Sequence, residues 1–285
     1  MSSSVNKSYK TSKQVKSFII YMLMIIFTLI AIVPVWLSLV NATRTNVQIN
    51  EGLSFLPSTH ALDNWRILTS RNFQIWQGFI NSAIISTFST ALCVYFSALT
   101  AYGIHVYRFK GRSILISIIM TLILLPASLS FIGFYQFMAR LHLTDNYIPL
   151  ILPSIAAAGS VLFVKQYFES ILSMEIIEAS RIDGAGEFRT FNTIILPIIK
   201  PALATQAIFA FVASWNNFMT PFALLSSTKK YTLPMLVQML RGDIYRTEYG
   251  AIYVGIAVSL IPIIVFYAFM SKNIISGLTM GSVKE

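Results

Sequence analysis

The chain is 285 residues long, 55% apolar and only 11% charged, with a formal net charge of +10. A soluble domain of this length rarely carries so little charge, so the composition points to the membrane and excludes an ordinary globular domain. The positive balance reads as topological rather than as a nucleic-acid footprint, because the Lys and Arg residues lie between apolar runs instead of clustering in one basic stretch.

Six apolar runs, 18–40, 79–104, 113–135, 147–164, 202–225 and 251–270, are long enough to approach or cross a hydrocarbon layer of roughly 30 Å. Lipid offers backbone groups no partners, so helices are the natural reading, and the alternating segments of a strand barrel are missing. The expectation is an all-α integral membrane protein with six transmembrane helices. Four regions follow: a Ser- and Lys-rich cytoplasmic tail over 1–16, a first helix and outer loop over 17–78, a core over 79–272, and a cytoplasmic tail over 273–285. The tail at 1–16 is expected to be flexible. The first run is too long for the apolar region of a secretory signal and lacks a small-x-small cleavage site, so it reads as a retained anchor. In the outer loop Gly52 and Pro57 suit turns, and Trp65 and Trp76 suit the membrane interface.

Charge sets the orientation. Lys7, Lys10, Lys13 and Lys16 precede the first run; Arg108, Lys110 and Arg112 follow the second; Lys165, Arg181, Arg189 and Lys200 follow the fourth. These alternate loops share one side, the cytoplasm, although Lys229, Lys230, Arg241 and Arg246 place positive charge in an outer loop. The single cysteine, Cys93, lies inside the second run and reads as a small packing residue.

The familiar catalytic and nucleotide motifs are missing from the sequence. There is no phosphate-binding G-x-x-x-x-G-K-[ST] loop, no H-E-x-x-H, and His60, His105 and His142 are far apart. The centres of the runs hold no acids of the sort that ion-coupled carriers use as relays. The expectation is a chain without enzymatic activity, cofactor or metal of its own.

One polar island remains, "EASRIDGAGEFRTFNTIILP", Glu178 to Pro197. From Ser173 the sequence predicts a helix: Ser173 can cap the first amides, Glu175 and Glu178 suit its N-terminal end, and Gly184 suits a left-handed stop. A second short helix is predicted to follow, with Phe188, Phe191 and Ile195 on one face, before Pro197 and Pro201 interrupt it and Pro201 opens the fifth span. Such an island fits either a docking surface for another protein or an interfacial loop helix, and the residues alone leave both open.

The island resembles the signature loop of ABC-importer permeases: Glu178, Ala179 and Ser180, then Gly184, then Ile194, Leu196 and Pro197, with every spacing kept. Ser180 stands where that family usually has a second alanine. Further strings, "AYGIHVYRFKGR", "FVKQYFESI", "IDGAGEF" with Asp183, "KPALATQAIFAFVASWNNFMTPF" and "ISGLTMGSVKE", are similar to the carbohydrate, maltose-transporter (MalG-like) branch. Ile132, Gly133 and Phe134 depart from it ahead of Tyr135, where proline is more usual. The resemblance implies a type I importer permease with both termini cytoplasmic. It would work beside a second homologous permease, two ATPase subunits that bind ATP and Mg, and an extracytoplasmic sugar-binding protein. The loop 173–197 would be the coupling element, with Glu178 pairing a basic residue of the ATPase, Ala179 and Ser180 allowing close packing, Gly184 making the turn, and Leu196 and Pro197 positioning the loop.

For the sugar path, Tyr135 and Gln136 in the third span and Trp215, Asn216 and Asn217 in the fifth are candidates, since sugars are held by aromatic faces and hydrogen-bonding side chains. The same groups suit bonding between helices, and both readings stand. The loop 226–250 reads as a face toward the binding protein or as a plain connection. A permease for amino acids, polyamines or phosphate would share the island, whereas a secondary carrier would need the intramembrane acids that are missing.

Overall fold

The computed structural model describes residues 2–70, 74–240 and 248–281. The described residues are helical throughout, without a strand. They fall into two compact units, Met1–Phe73 with Leu240–Val258, and Gln74–Met239 with Ser259–Glu285.

In the first unit, α1 (Ser2–Asn41) includes the run expected to span. The tail predicted to be flexible is helical from Ser2 onward, because nothing in 2–16 breaks the helix that the apolar run nucleates. Phe18, Ile25, Phe27 and Ile30 all point outward, which suits lipid. The segment after α1, expected to be an outer loop, is organised around Arg44, buried just beyond the end of α1. Its guanidinium donates to Asn41 Oδ1 at 3.2 Å, to Gly52 O at 2.9 Å and to Gln48 O. The short α2 (Asn46–Asn50) begins with a reciprocal capping box between Thr45 and Gln48. Next comes α3 (Ala61–Ser70), whose Asn64 donates to both Ala42 O and Arg44 O at 2.9 Å.

The second unit is built on α4 (Ile75–Val106), against which α8 (Ala158–Ile171) and α12 (Lys200–Trp215) pack. The buried face of α4 carries Ser82, Ser86, Ser89, Cys93, Ser97, Ala98 and Ala101. Small side chains let helix backbones approach closely, the usual means of association where lipid removes the hydrophobic drive. Cys93 is buried there, as expected of a packing residue, with Sγ 3.3 Å from Ser160 Oγ.

Continuous helices cover four of the six expected spans: Lys16–Asn41, Ile75–Val106, Ile148–Ile171 and Tyr249–Lys272, the last within α15 (Tyr249–Gly281). The third is not continuous. It divides into α5 (Arg112–Leu124) and α6 (Ala127–Arg140), because Pro126 holds Leu125 extended at ψ 127°. The 13 residues of α5 reach only roughly 20 Å. The fourth starts with a four-residue turn, α7 (Ile148–Ile151), and a 3-10 stretch, Leu152–Ala156, each with a proline at its start. The fifth stops at Trp215 and resumes as α13 (Met219–Leu224), with Asn217 Oδ1 accepting from Thr220 N. Beyond it, α14 (Leu233–Met239) lies buried through Leu233, Met235 and Leu236. The cytoplasmic tail expected over 273–285 is helical to Gly281; its last four residues lie outside the described ones.

Candidate functional site

The island forms α9 (Met174–Ile182), a turn, and a second helix made of α10 (Glu187–Arg189), a π stretch Thr190–Ile195 and α11 (Leu196–Ile198). The predicted helix, turn, helix is therefore present. Gly184 sits at φ +78°, the left-handed stop its position demanded. Gly184 N donates to Arg181 O at 3.0 Å and Ala185 N to Ser180 O at 2.9 Å, the paired bonds of a Schellman end. Ser173 occupies the N-cap with ψ 145°, but its hydroxyl makes no capping bond.

Two faces of α9 differ. Inward, Ile177 is fully buried and Ser180 Oγ donates to Ile177 O at 2.7 Å and lies 3.1 Å from Thr190 Oγ1. Ser180 thus closes the island on itself: its hydroxyl meets a residue of the next helix. Outward, Glu178, Ala179, Asp183 and Ile182 are exposed, Ile182 by 87%. An isoleucine so displayed beside two carboxylates is a surface without a partner among the described residues.

The second helix anchors the island. Phe191 and Ile195 are buried with Tyr102, Val164, Phe168 and Ile177 in one apolar cluster, and Ile194 and Leu196 pack at its margin. Phe188 does not join them; it is 72% exposed. The regular three-and-four spacing fails here because the π stretch carries an extra residue in its turn and shifts the register between Phe188 and the buried pair. Pro197 is exposed at the end of this helix, and the chain then bends 82° at Ile199 into α12, with Pro201 in its first turn as predicted.

Glu187 is the residue that the sequence reading missed. Its carboxylate accepts from Arg181 Nε at 2.8 Å and from Tyr102 Oη at 3.1 Å, while the Arg181 guanidinium lies 5.9 Å from the centre of the Tyr107 ring. Hydrogen bonding from Tyr107, then Arg181 and Tyr102, holds the Glu187 carboxyl below the ordinary glutamate range. The island is thereby tied to the end of α4. The signal was present in "AYGIHVYRFKGR" and "IDGAGEF", but two strings about 80 residues apart give no hint that they meet.

The candidate path residues differ in their surroundings. Trp215 is buried, donates Nε1 to Ser259 O at 3.1 Å, and packs edge-on to Phe79 and stacked on Phe211. It joins helices. Tyr135, Gln136 and Asn216 are exposed, whereas Asn217 lines a cavity of about 550 Å³ between α4, α8 and α12.

At the opposite end from the island along α12, the loop 226–240 is held by a clamp. Asp145, itself at φ 56°, accepts from Ser226 N (3.1 Å), Ser227 N (3.0 Å) and Ser227 Oγ (2.6 Å), and pairs with Lys230 Nζ at 3.1 Å. Hydrogen bonds from Ser227, aided by Lys230, hold its carboxyl well below the usual aspartate range. Asn81 adds two bonds of 2.9 Å to Lys229 O and Tyr231 O. The loop expected at 226–250 is thus a fixed surface over 226–240; its residues 241–247 lie outside the described ones.

Apolar helices closing on a small-residue core, with one anchored polar island outside the spans, define a multi-pass membrane protein. Residues 94–279 match the family described as "Binding-protein-dependent transport system inner membrane component", and the chain belongs to that family. It is similar to the arabinooligosaccharides transport system permease protein AraQ of Bacillus subtilis, 30% identical over 90% of this chain and 92% of that one. It is also similar to the trehalose/maltose transport system permease protein MalG of Thermococcus litoralis, 31% identical over 91% and 94%. A solved bacterial ABC transporter involved in the import of the acidic polysaccharide alginate shares the fold, with a TM-score of 0.77, 24% identity, and 92% and 97% of the two chains covered. The protein is therefore a non-enzymatic, multi-pass component of the cell membrane.

Proposed function

We propose that the chain is one of two homologous permeases in an ATP-driven importer of an oligosaccharide, and that the loop 173–197 couples it to an ATPase. The observation that carries this reading is the two-sided α9. Ile177 and Ser180 lock it to the chain while Glu178, Ala179, Ile182 and Asp183 remain displayed with no partner among the described residues. A lever must be rigidly attached at one face and free to be gripped at the other, and α9 meets both conditions. The names of the relatives, for arabinooligosaccharides and for trehalose and maltose, support a sugar as cargo.

In this reading ATP and Mg are bound by two partner ATPase subunits, each gripping the coupling helix of one permease. Their closure moves the helices, and the spans pass from inward-facing to outward-facing as rigid bodies. Both termini lie in the cytoplasm. The fixed loop 226–240 faces an extracytoplasmic sugar-binding protein. Glu178 supplies a carboxylate to a basic residue in the ATPase cleft, and Ile182 fills an apolar recess beside it.

Glu178→Lys tests the reading. The exchange touches no internal bond, so insertion should be unchanged, while ATPase recruitment and uptake should be lost. Wild-type uptake by that variant would refute the role of α9.

A further inference from the structure

We propose that the segment 52–62 is a foot that rests in the membrane surface, its apolar side chains seated among lipid at the headgroup boundary beside the end of α1. The side chains are arranged the opposite way from those of a loop in water. Leu53, Phe55, Leu56 and Pro57 are exposed, Leu53 by 80% and Leu56 by 78%, and Leu62 follows them, whereas Ser54, Ser58 and His60 are half-buried. Of the hydroxyl side chains in the segment, only that of Thr59 is turned out. No Asp, Glu, Lys or Arg stands between Glu51 and Asp63. A contiguous apolar display of this kind marks a surface that something covers.

What covers it follows from depth. Trp36 Nε1 donates to Phe55 O at 3.0 Å, and Trp36 lies before the end of α1 at Asn41, about 7.5 Å back along the helix. The segment therefore folds back alongside α1 instead of projecting beyond it. It joins the face on which Ile32, Val35, Trp36 and Leu39 are displayed toward lipid, so one apolar surface runs from the span into the segment. Trp36 and Phe55 together suit the aromatic belt of a membrane boundary. The backbone is prepared for the loss of water. Arg44 donates to Gly52 O at 2.9 Å, Leu56 N to Ser54 Oγ at 3.2 Å, Ser58 N to Thr43 Oγ1 at 2.8 Å and His60 N to Thr43 O at 2.9 Å, and Pro57 has no amide to satisfy. Irregular chain approaches hydrocarbon only when its polar groups are met from within, because lipid tails offer them nothing. A protein partner sets no such condition, since it brings donors and acceptors of its own. The result is shallow insertion beside a span, not a further span.

The test places nitroxide labels on the segment through Leu53→Cys and Leu56→Cys. The full chain, with the subunits that purify with it, is reconstituted in vesicles of phosphatidylethanolamine and phosphatidylglycerol. Cys93 is buried, and the unsubstituted protein gives its background labelling. Oxygen concentrates in lipid and a water-soluble nickel chelate is excluded from it, so the ratio of collisions with the two reports depth. That ratio should be several-fold higher at both positions than for a label introduced by Glu51→Cys, which is exposed just outside the segment. Equal ratios at the three positions, with ready access for the chelate, would overturn the proposal. Protection of residues 53 and 56 from both reagents would place a protein over the segment and overturn it equally. If the cysteine variants fail to assemble, the unsubstituted protein decides the matter. A phospholipid with a photoreactive group beside its glycerol should attach to the peptide containing residues 52–62 as well as to the span of α1; attachment to α1 alone would refute the foot.

Discussion

Replacing Gly184 by valine isolates the conformational requirement at the end of α9, the helix proposed to couple. At φ +78° an added Cβ would meet no atom within 4 Å, so the Cβ itself clashes with no neighbour. The effect expected is that of the left-handed backbone, which costs an L-residue about 1–2 kcal/mol, at the upper end for a β-branched one. That lowers the population of the Schellman-terminated loop by about five- to thirtyfold relative to alternatives in which the bonds from Gly184 N and Ala185 N are broken. Asparagine tolerates this conformation better, so Gly184→Asn should recover most of the loss. Co-purification of the ATPase with the permease, and binding-protein-stimulated ATP hydrolysis, read the difference directly. Valine behaving like glycine, or asparagine failing as badly as valine, would refute the reasoning.

Three other perturbations follow from the geometry. Asp145→Asn removes the charge that holds Lys230 and weakens the acceptor for Ser226 and Ser227, so the amides of those two serines should exchange faster at neutral pH; unchanged exchange would refute the clamp. Because folding depresses the Asp145 pKa, its stabilisation is present above the ordinary value and is lost only as pH falls through the folded one, so acidification to about pH 4.5 should leave the protection of these amides in the wild type, relative to their intrinsic exchange at each pH, unaltered. Gly250→Ala would place a Cβ 2.4 Å from the amide of Asn64, which cannot retreat without releasing Ala42 O and Arg44 O; a loss of about 2–3 kcal/mol should appear as a lower melting midpoint in detergent. For the half-exposed pair of Glu187 and Arg181, a double-mutant cycle to alanine should give the small coupling of a solvent-screened surface pair, and a coupling as large as that of a buried pair would mean that solvent screens it less than its exposure implies.

What the sequence disclosed was local. The island's spacing, its glycine stop and the proline that starts α12 each depend on a few neighbouring residues, and all three are present in the fold. The interruption of the third span was equally local, since Pro126 extends Leu125, yet hydropathy averaged over a long run conceals one proline. Trp215 and Asn217 show the other difficulty. They are two residues apart, but α12 ends at Trp215, which packs against Phe79 and Ser259, and the chain beyond it leaves Asn217 at a cavity wall. The bond from Gln206 to Ser160 at that wall carries no mark in the sequence at all, because it comes from helices meeting. Nor does the π stretch, which exposes Phe188, follow from residue type.

The 82° bend at Ile199 makes a bell crank of the chain. Ile199 is fully buried at the corner, so the corner is fixed by packing while two stiff arms leave it at nearly a right angle. The longer arm, α12, has 16 residues and a reach of roughly 24 Å, and Gln206 and Ser214 ride along it. On the proposed coupling, a push along the island arm becomes a swing of that longer arm, greatest at its far end near Trp215. Shape change at the cavity would then need no deformation of any helix, only rotation about a single residue.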